Sequence, residues 1–246
     1  MIVKELLDHR WKLLGGLALS LATVVGNQTL PRQLANAQDP ALRAGLAEAL
    51  RDPASFVWDT TFNPLNGLGL MLLFLAALIG ASLVAGEVTR GTIFVLLSRP
   101  LARDHLLLTK YAVGAAALLA VILAVTVLVL MLTPALLGQP LHAGGTLVSA
   151  LLLWLGTLFV LGLATLFSVV LSDPLRPLAL TVLVLVLLSI LPSLLGLSAA
   201  WVLPAYWTNL PAFLGQEFPV WPLVVGVIAA AVPLLAALLL FRRRQY

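Results

Sequence analysis

The sequence predicts an all-α integral membrane protein, on three observations. Its 246 residues are 61% hydrophobic and only 10% charged, where a soluble domain carries roughly 25% charged residues. The apolar residues fall in long continuous runs, without the period-2 alternation of a membrane β-barrel. The basic residues are distributed unevenly about those runs.

A helix crossing about 30 Å of hydrocarbon needs roughly 20 apolar residues. Six runs come within reach of that length. They are Trp11 to Val25 (extendable towards Leu30), Leu65 to Ala85, Tyr111 to Leu137, Leu147 to Leu171, Pro177 to Ala199 and Trp221 to Phe241. The first is not read as a cleaved signal peptide, because it lacks a small-x-small cleavage site and further spans follow it. The whole chain, 1–246, reads as one transmembrane domain.

With six spans both termini lie on one side. Of the fourteen lysines and arginines, only Arg32, Arg43 and Arg51 fall on the other side, while acidic residues divide evenly. The basic bias predicts cytoplasmic N and C termini. Trp11, Trp201, Trp207, Trp221 and Tyr111 stand near span ends, where interfacial anchors are expected.

Residues 28–63 form the long outer connection. In "DPALRAGLAEALRDP", Asp39 is a natural N-cap and Pro40 suits the first helical position. Leu42, Leu46 and Leu50 share one face of that helix. Asp52-Pro53 stops it and starts a second turn through Phe56 and Trp58. The helix can lie on the outer leaflet or cap the bundle; a lid over an exit path is the alternative.

Absences narrow the function. The predicted hydrocarbon portions hold no Asp, Glu, Lys, Arg or His, which counts against a proton-coupled carrier or charge-lined channel. "GASL" at Gly80 to Leu83 lacks the final glycine of a GxSG serine motif, and no span supplies a histidine base. It reads as a small-residue packing patch. No HExxH occurs, and His9, His105 and His142 stand apart in sequence. The lysines, Lys4, Lys12 and Lys110, follow no glycine-rich phosphate loop. With no cysteine, disulfides and thiolate metal sites are excluded. No catalytic, metal or cofactor-binding residue is expected. The basic charge is explained by membrane orientation, without nucleic acid.

One polar stretch interrupts this pattern: "GEVTRGTIFVLLSRPLARDHLLLTK", Gly86 to Lys110. Its charges, Glu87, Arg90, Arg99, Arg103, Asp104 and Lys110, exclude it from hydrocarbon. Glu87 and Arg90 can pair at i and i+3, and Gly91 allows a chain reversal. Thr92 can cap a short apolar helix that Ser98, Arg99 and Pro100 terminate. "LARDHLLLTKY" then restarts a helix into the third span. Such a segment suits docking into a partner's groove, or lies on lipid headgroups; pattern leaves both open.

This stretch resembles the signature of ABC-2-type transporter permeases. In that family an E-x-x-x-G-T element leaves the second span, an L-S-R-P-x-x-R element follows, and a lysine precedes the third span. Glu87, Arg90, Gly91, Thr92, Ser98, Arg99, Pro100, Arg103 and Lys110 stand in or beside those positions. The resemblance is closest to permeases without a fused ATPase domain. It implies a non-enzymatic membrane subunit, an exporter, and a cytoplasmic coupling helix in 86–110 between spans two and three. It also implies two copies of a separate ABC-type ATPase carrying ATP and Mg, and a second copy of this chain or a homologous permease. The location implied is a bacterial-type plasma (inner) membrane.

Under the same resemblance, residues 1–10 match an amphipathic cytoplasmic helix. Ile2, Val3, Leu6 and Leu7 would face lipid, with Lys4, Glu5, Asp8 and Arg10 facing water. The dimer seam would lie near the first and fifth spans. Gly16 with Ser20, or Ala18 with Ala22, offers a small-residue face. Pro192 and Pro233 should kink or end the fifth and sixth spans. Thr126, Thr133, Thr157, Thr165, Ser168, Thr181 and Ser189 can line a path or bond to their own helices. The alternative to a transporter is a membrane scaffold or sensor that binds a non-ATPase partner through the same loop.

Overall fold

The computed structural model describes residues 2–35, 51–91, 103–138, 140–196 and 203–244. Among the described residues the chain is helical and has no strand. The helices are α1 (Ile2–Ala35), α2 (Pro53–Thr61), α3 (Gly67–Ser82), α4 (Ala85–Thr89), α5 (Arg103–Leu137), α6 (Ala143–Val170), α7 (Leu175–Leu194), α8 (Leu210–Phe213) and α9 (Val220–Arg243). A 3₁₀ turn, Leu203–Trp207, precedes α8.

Among the described residues a helix lies in each of the six apolar runs, but they are not equal. Among the described residues α5, α6 and α9 are long and apolar enough to cross a bilayer, while α3 and α7 contribute shorter apolar helices. The 16 residues of α3 span about 24 Å at 1.5 Å each, short of the hydrocarbon thickness. The expected amphipathic helix at 1–10 is not set apart, because α1 runs unbroken from Ile2 to Ala35. The outer helix expected from Asp39 lies outside the described residues. Its neighbour α2 forms as expected: Asp52 accepts from the Ser55 backbone N–H, and Pro53 opens the helix.

Helix α6 is the centre of the bundle. Two thirds of its apolar window (67%) is buried, against 39% for α5 and 22% for α9. It packs on α3, α5, α7, α8 and α9. Small residues make this possible, since lipid tails supply no hydrophobic drive between helices and close packing must do the work. A Cβ on Gly80 would lie 2.6 Å from the Leu161 carbonyl oxygen and 2.7 Å from Ala164 Cβ. The "GASL" patch is therefore a packing patch for α3 on α6. The Trp207 ring covers Gly156, and the Pro233 ring fits against Gly162.

Two expected anchors prove to be core residues. Trp207 is fully buried, and the buried Tyr111 donates its hydroxyl to the Leu158 carbonyl at 2.9 Å. Trp11 and Trp221 are exposed, as anchors are. The Gly16/Ser20 pair faces inward: a Cβ on Gly16 would meet Leu75. Ser20 is buried and donates to the Gly16 carbonyl. Ala18 and Ala22 are exposed. Of the expected prolines, Pro233 sits inside the continuous α9, and α7 ends two residues after Pro192. Pro134 lies inside α5.

Gly80→Val should therefore destabilise the detergent-solubilised protein by about 1–3 kcal/mol through overpacking. Gly15→Ala should be neutral or better, because a Cβ on Gly15 meets nothing within 4 Å. Thermal melting of both variants checks this.

Candidate functional site

The two ends of the bundle differ in chemistry. At one end Asn27 of α1 donates to the Thr60 carbonyl at 3.5 Å, and the Phe62 and Phe213 rings tilt against each other. At the other end Lys12, Glu87, Lys110, Asp104 and Arg242 converge. This basic end holds the roots of the charged segment singled out in the sequence.

Helix α3 breaks there after Ser82. In a continuous helix the Val84 and Ala85 N–H groups would bond to carbonyls four residues back. Instead both donate to Ser168 Oγ of α6, at 3.1 and 2.8 Å. Leu83 N–H closes a tighter turn onto the Gly80 carbonyl. A side chain from a neighbouring helix thus supplies the acceptor where the chain turns, and the short α4 follows. Gly91 ends α4 at φ +70°, with its N–H on the Val88 carbonyl at 3.0 Å. Glycine takes that left-handed backbone without a Cβ penalty.

Glu87 of α4 does not pair with Arg90, whose side chain is exposed. It pairs with Lys110 of α5, Nζ to Oε1 at 3.1 Å, and the two side chains are 7% and 2% exposed. Desolvating both charges is costly, so the pair contributes specificity of placement more than net stability. It joins α4 to α5, so the two described roots of the charged segment meet at one clamp.

Further ties surround the clamp. Lys12 of α1 donates to Ser82 Oγ at 2.7 Å and to the Leu78 carbonyl at 3.3 Å, placing an ammonium at the negative end of the α3 dipole. Thr89 donates to the Ser172 carbonyl at 2.8 Å, joining α4 to the turn after α6. In that turn Asp173 accepts from the Leu175 N–H, as in an Asx turn. Arg242 of α9 donates from Nε to both carboxylate oxygens of Asp104 at 2.8 Å and from its second nitrogen at 2.5 Å. Hydrogen bonding from that guanidinium holds the Asp104 carboxyl below its ordinary range.

Of the sequence-predicted residues, the structure brings together Glu87 and Lys110 and places Arg90 and Gly91 beside them. Arg103 opens α5. Thr92, Ser98, Arg99 and Pro100 lie outside the described residues. Sequence reasoning set Lys12, Asp104 and Arg242 on this side but missed their partners, and it missed that Ser168 belongs to this end. Lys12 and Arg242 had been read as orientation charges, and Ser168 as a path hydroxyl. Their partners lie 70, 84 and 138 positions away, and no local spacing signals such distances.

A second feature lies between α3 and α7: a cleft of about 600 Å³ lined by Leu70, Phe74, Val182, Val186, Ile190 and Trp207, with Ser189 as its one hydroxyl side chain among the described residues. Most hydroxyls expected to line a path, Ser189 included, are turned back on their own helices. Thr126, Thr165, Thr181 and Ser189 donate to carbonyls four residues back, and Thr157 to one three back. In this setting the cleft offers apolar surface and shape, with little hydrogen bonding.

Comparison with known proteins gives one family. A family model described as ABC-2 family transporter protein matches residues 14–214. No curated protein matches the chain.

Two outcomes follow from the clamp and its neighbour. Glu87→Gln or Lys110→Met alone breaks a buried ion pair and should destabilise the protein, whereas the double variant should recover part of the loss; a double-mutant cycle on melting checks it. Asp104 has a depressed folded-state pKa, so its contribution is complete above the ordinary carboxylate range and is lost as pH falls below about 4. Melting temperature against pH should show a low-pH fall that Arg242→Gln diminishes.

Proposed function

The chain belongs to the ABC-2 family of transporter proteins, and on that premise we propose that it is the membrane-spanning permease subunit of an ATP-driven exporter. A separate ABC-type ATPase, two copies per transporter, binds ATP and Mg and grips the segment 86–110 from the cytoplasm. The six apolar helices α1, α3, α5, α6, α7 and α9 cross a bacterial-type plasma membrane, with both termini cytoplasmic under the positive-inside bias.

The observation that carries this reading is the Glu87–Lys110 clamp at the two roots of the charged segment. A push on a loop anchored by flexible ends would be absorbed by the loop. A push on a segment whose two ends are locked together is delivered to the bundle. One root joins α3 through the Ser168-capped break. The other is the start of α5, whose 35 residues make a lever of about 50 Å. Tilting α5 and α3 relative to α7 would open or close the cleft between α3 and α7. The apolar lining of that cleft supports a hydrophobic or amphipathic cargo. The exposed leucine-rich faces of α1 and α7, including Leu14, Leu19, Leu183 and Leu187, support a second permease copy packed along them.

The test is association and rescue. Gentle purification of the tagged protein from its native membrane should bring down an ABC-type ATPase subunit. Glu87→Lys should abolish permease-stimulated ATP hydrolysis while the protein still inserts. The swap Glu87→Lys with Lys110→Glu should restore it at least in part. Recovery of a different cytoplasmic partner and no ATPase would favour a scaffold or sensor instead.

A further inference from the structure

Helix α4 is fastened to the end of α6 at two points, and the two are unlike. At its start the Val84 and Ala85 N–H groups donate to Ser168 Oγ, and all three residues are buried. Opening that joint strands two donors away from solvent, at the full desolvation penalty of each. At its end Thr89 is exposed. Its hydroxyl has one hydrogen and two carbonyls within reach: Ser172 in the turn after α6 at 2.8 Å, and Ala85 one turn back in α4 at 2.9 Å. When Ser172 moves away, the hydrogen passes to Ala85. Ser172 is itself exposed, so its carbonyl takes water and no polar group is orphaned. The second joint therefore opens and recloses at little cost.

What this joint holds is the start of α7. The other elements at the basic end are locked together. Val84, Leu106, Leu107, Val169, Ala237 and Phe241 form one buried cluster that joins the start of α4 to α5, α6 and α9. Glu87–Lys110 ties α4 to α5, and Arg242–Asp104 ties α9 to α5. The described members of that cluster include no residue of α7. Helix α7 packs instead on α3, α6 and the 3₁₀ turn. Its first residue, Leu175, is 70% exposed, and Pro177 is the first to be buried. The connecting turn, 171–174, bonds mostly within itself and to its flanking helices: Leu171 N–H to the Phe167 carbonyl, Leu175 N–H to Asp173, and Leu178 N–H to the Pro174 carbonyl. Among the described residues, the hydrogen bond that fastens this turn to another element is the one from Thr89.

We infer that Thr89 is a latch that positions α7. With the hydroxyl on Ser172, the start of α7 is held to the locked block. With the hydroxyl returned to Ala85, α7 swings about the turn, and its far half, exposed at Leu183, Leu187 and Leu191, moves against α3. The latch thereby sets the width of the α3–α7 cleft. Thr89 stands two residues before Gly91, where the charged segment leaves α4, so a pull on that root reaches the latch ahead of the buried joint at Ser168. Its use in transport rests on the coupling proposed above. The latch itself belongs to the isolated chain, so either reading can fail without the other.

The experiment uses the full chain in lipid nanodiscs, without an ATPase. The sequence has no cysteine, so spin labels on introduced pairs report single distances. Leu65→Cys with Leu191→Cys reads the separation of α3 and α7, and Met131→Cys with Val224→Cys reads α5 against α9; all four native side chains are exposed. Thr89→Val keeps the branched shape and removes the hydrogen. It should broaden the α3–α7 distance distribution, leave the α5–α9 distribution as in wild type, and melt close to wild type because the lost bond is exposed. Thr89→Ser retains the hydroxyl and should restore the wild-type distribution, and Thr89→Ala should behave as Thr89→Val if the latter does not fold. A wild-type α3–α7 distribution in the variants without a hydroxyl, broadening that persists in Thr89→Ser, or equal broadening of the α5–α9 pair would each overturn the latch. Failure to recover an ATPase with the wild-type chain would remove the coupling and leave the latch result standing.

Discussion

A carboxylate and an ammonium held 3.1 Å apart out of solvent organise the basic end of this protein. Neither charge could be buried alone, because an isolated ion in a low-dielectric setting would neutralise or draw in water. Each therefore requires the other in place, and so each fixes the element that carries it. Glu87 fixes α4, a helix too short to hold a position by its own packing. Lys110 fixes the start of α5. The break between α3 and α4 is tolerable because Ser168 accepts the N–H groups that the break releases.

Much of the fold was legible because a bilayer leaves few options. Every backbone polar group must be satisfied internally, so long apolar runs have to be helices, and among the described residues a helix lies in each of the six runs. The restart of α5 ahead of the third run, the turn at Gly91 and the Asp52-Pro53 helix start were readable for the same reason: each is local backbone chemistry. What was hidden was rotation. Sequence showed that Gly16 and Ser20 lie four apart on α1, not that they turn inward against Leu75. It showed Trp207 near a span end, not that its ring closes over Gly156. In a chain apolar on all faces, periodicity no longer distinguishes the buried face from the lipid-facing one.

The candidate site was legible in half. Glu87 and Lys110 stood out as charges flanking an apolar chain, and family resemblance grouped them. Their direct pairing was not visible, since i,i+3 spacing pointed Glu87 at Arg90 instead. The hydroxyls illustrate the opposite error. As a set they look like a polar lining, but Thr126, Thr165 and Thr181 satisfy themselves one turn back along their own helices. The apolar cleft between α3 and α7 carries a single hydroxyl side chain, Ser189, among the described residues.

Where the Pro233 ring meets Gly162, α9 is keyed to α6 at one height. One turn to either side, α6 carries Leu158 and Leu166, whose side chains would occupy the space the ring needs. Sliding α9 up or down its neighbour is therefore obstructed sterically, far from any charge. The immersion depth of the terminal arginines is thus set from the middle of the membrane, by a missing side chain.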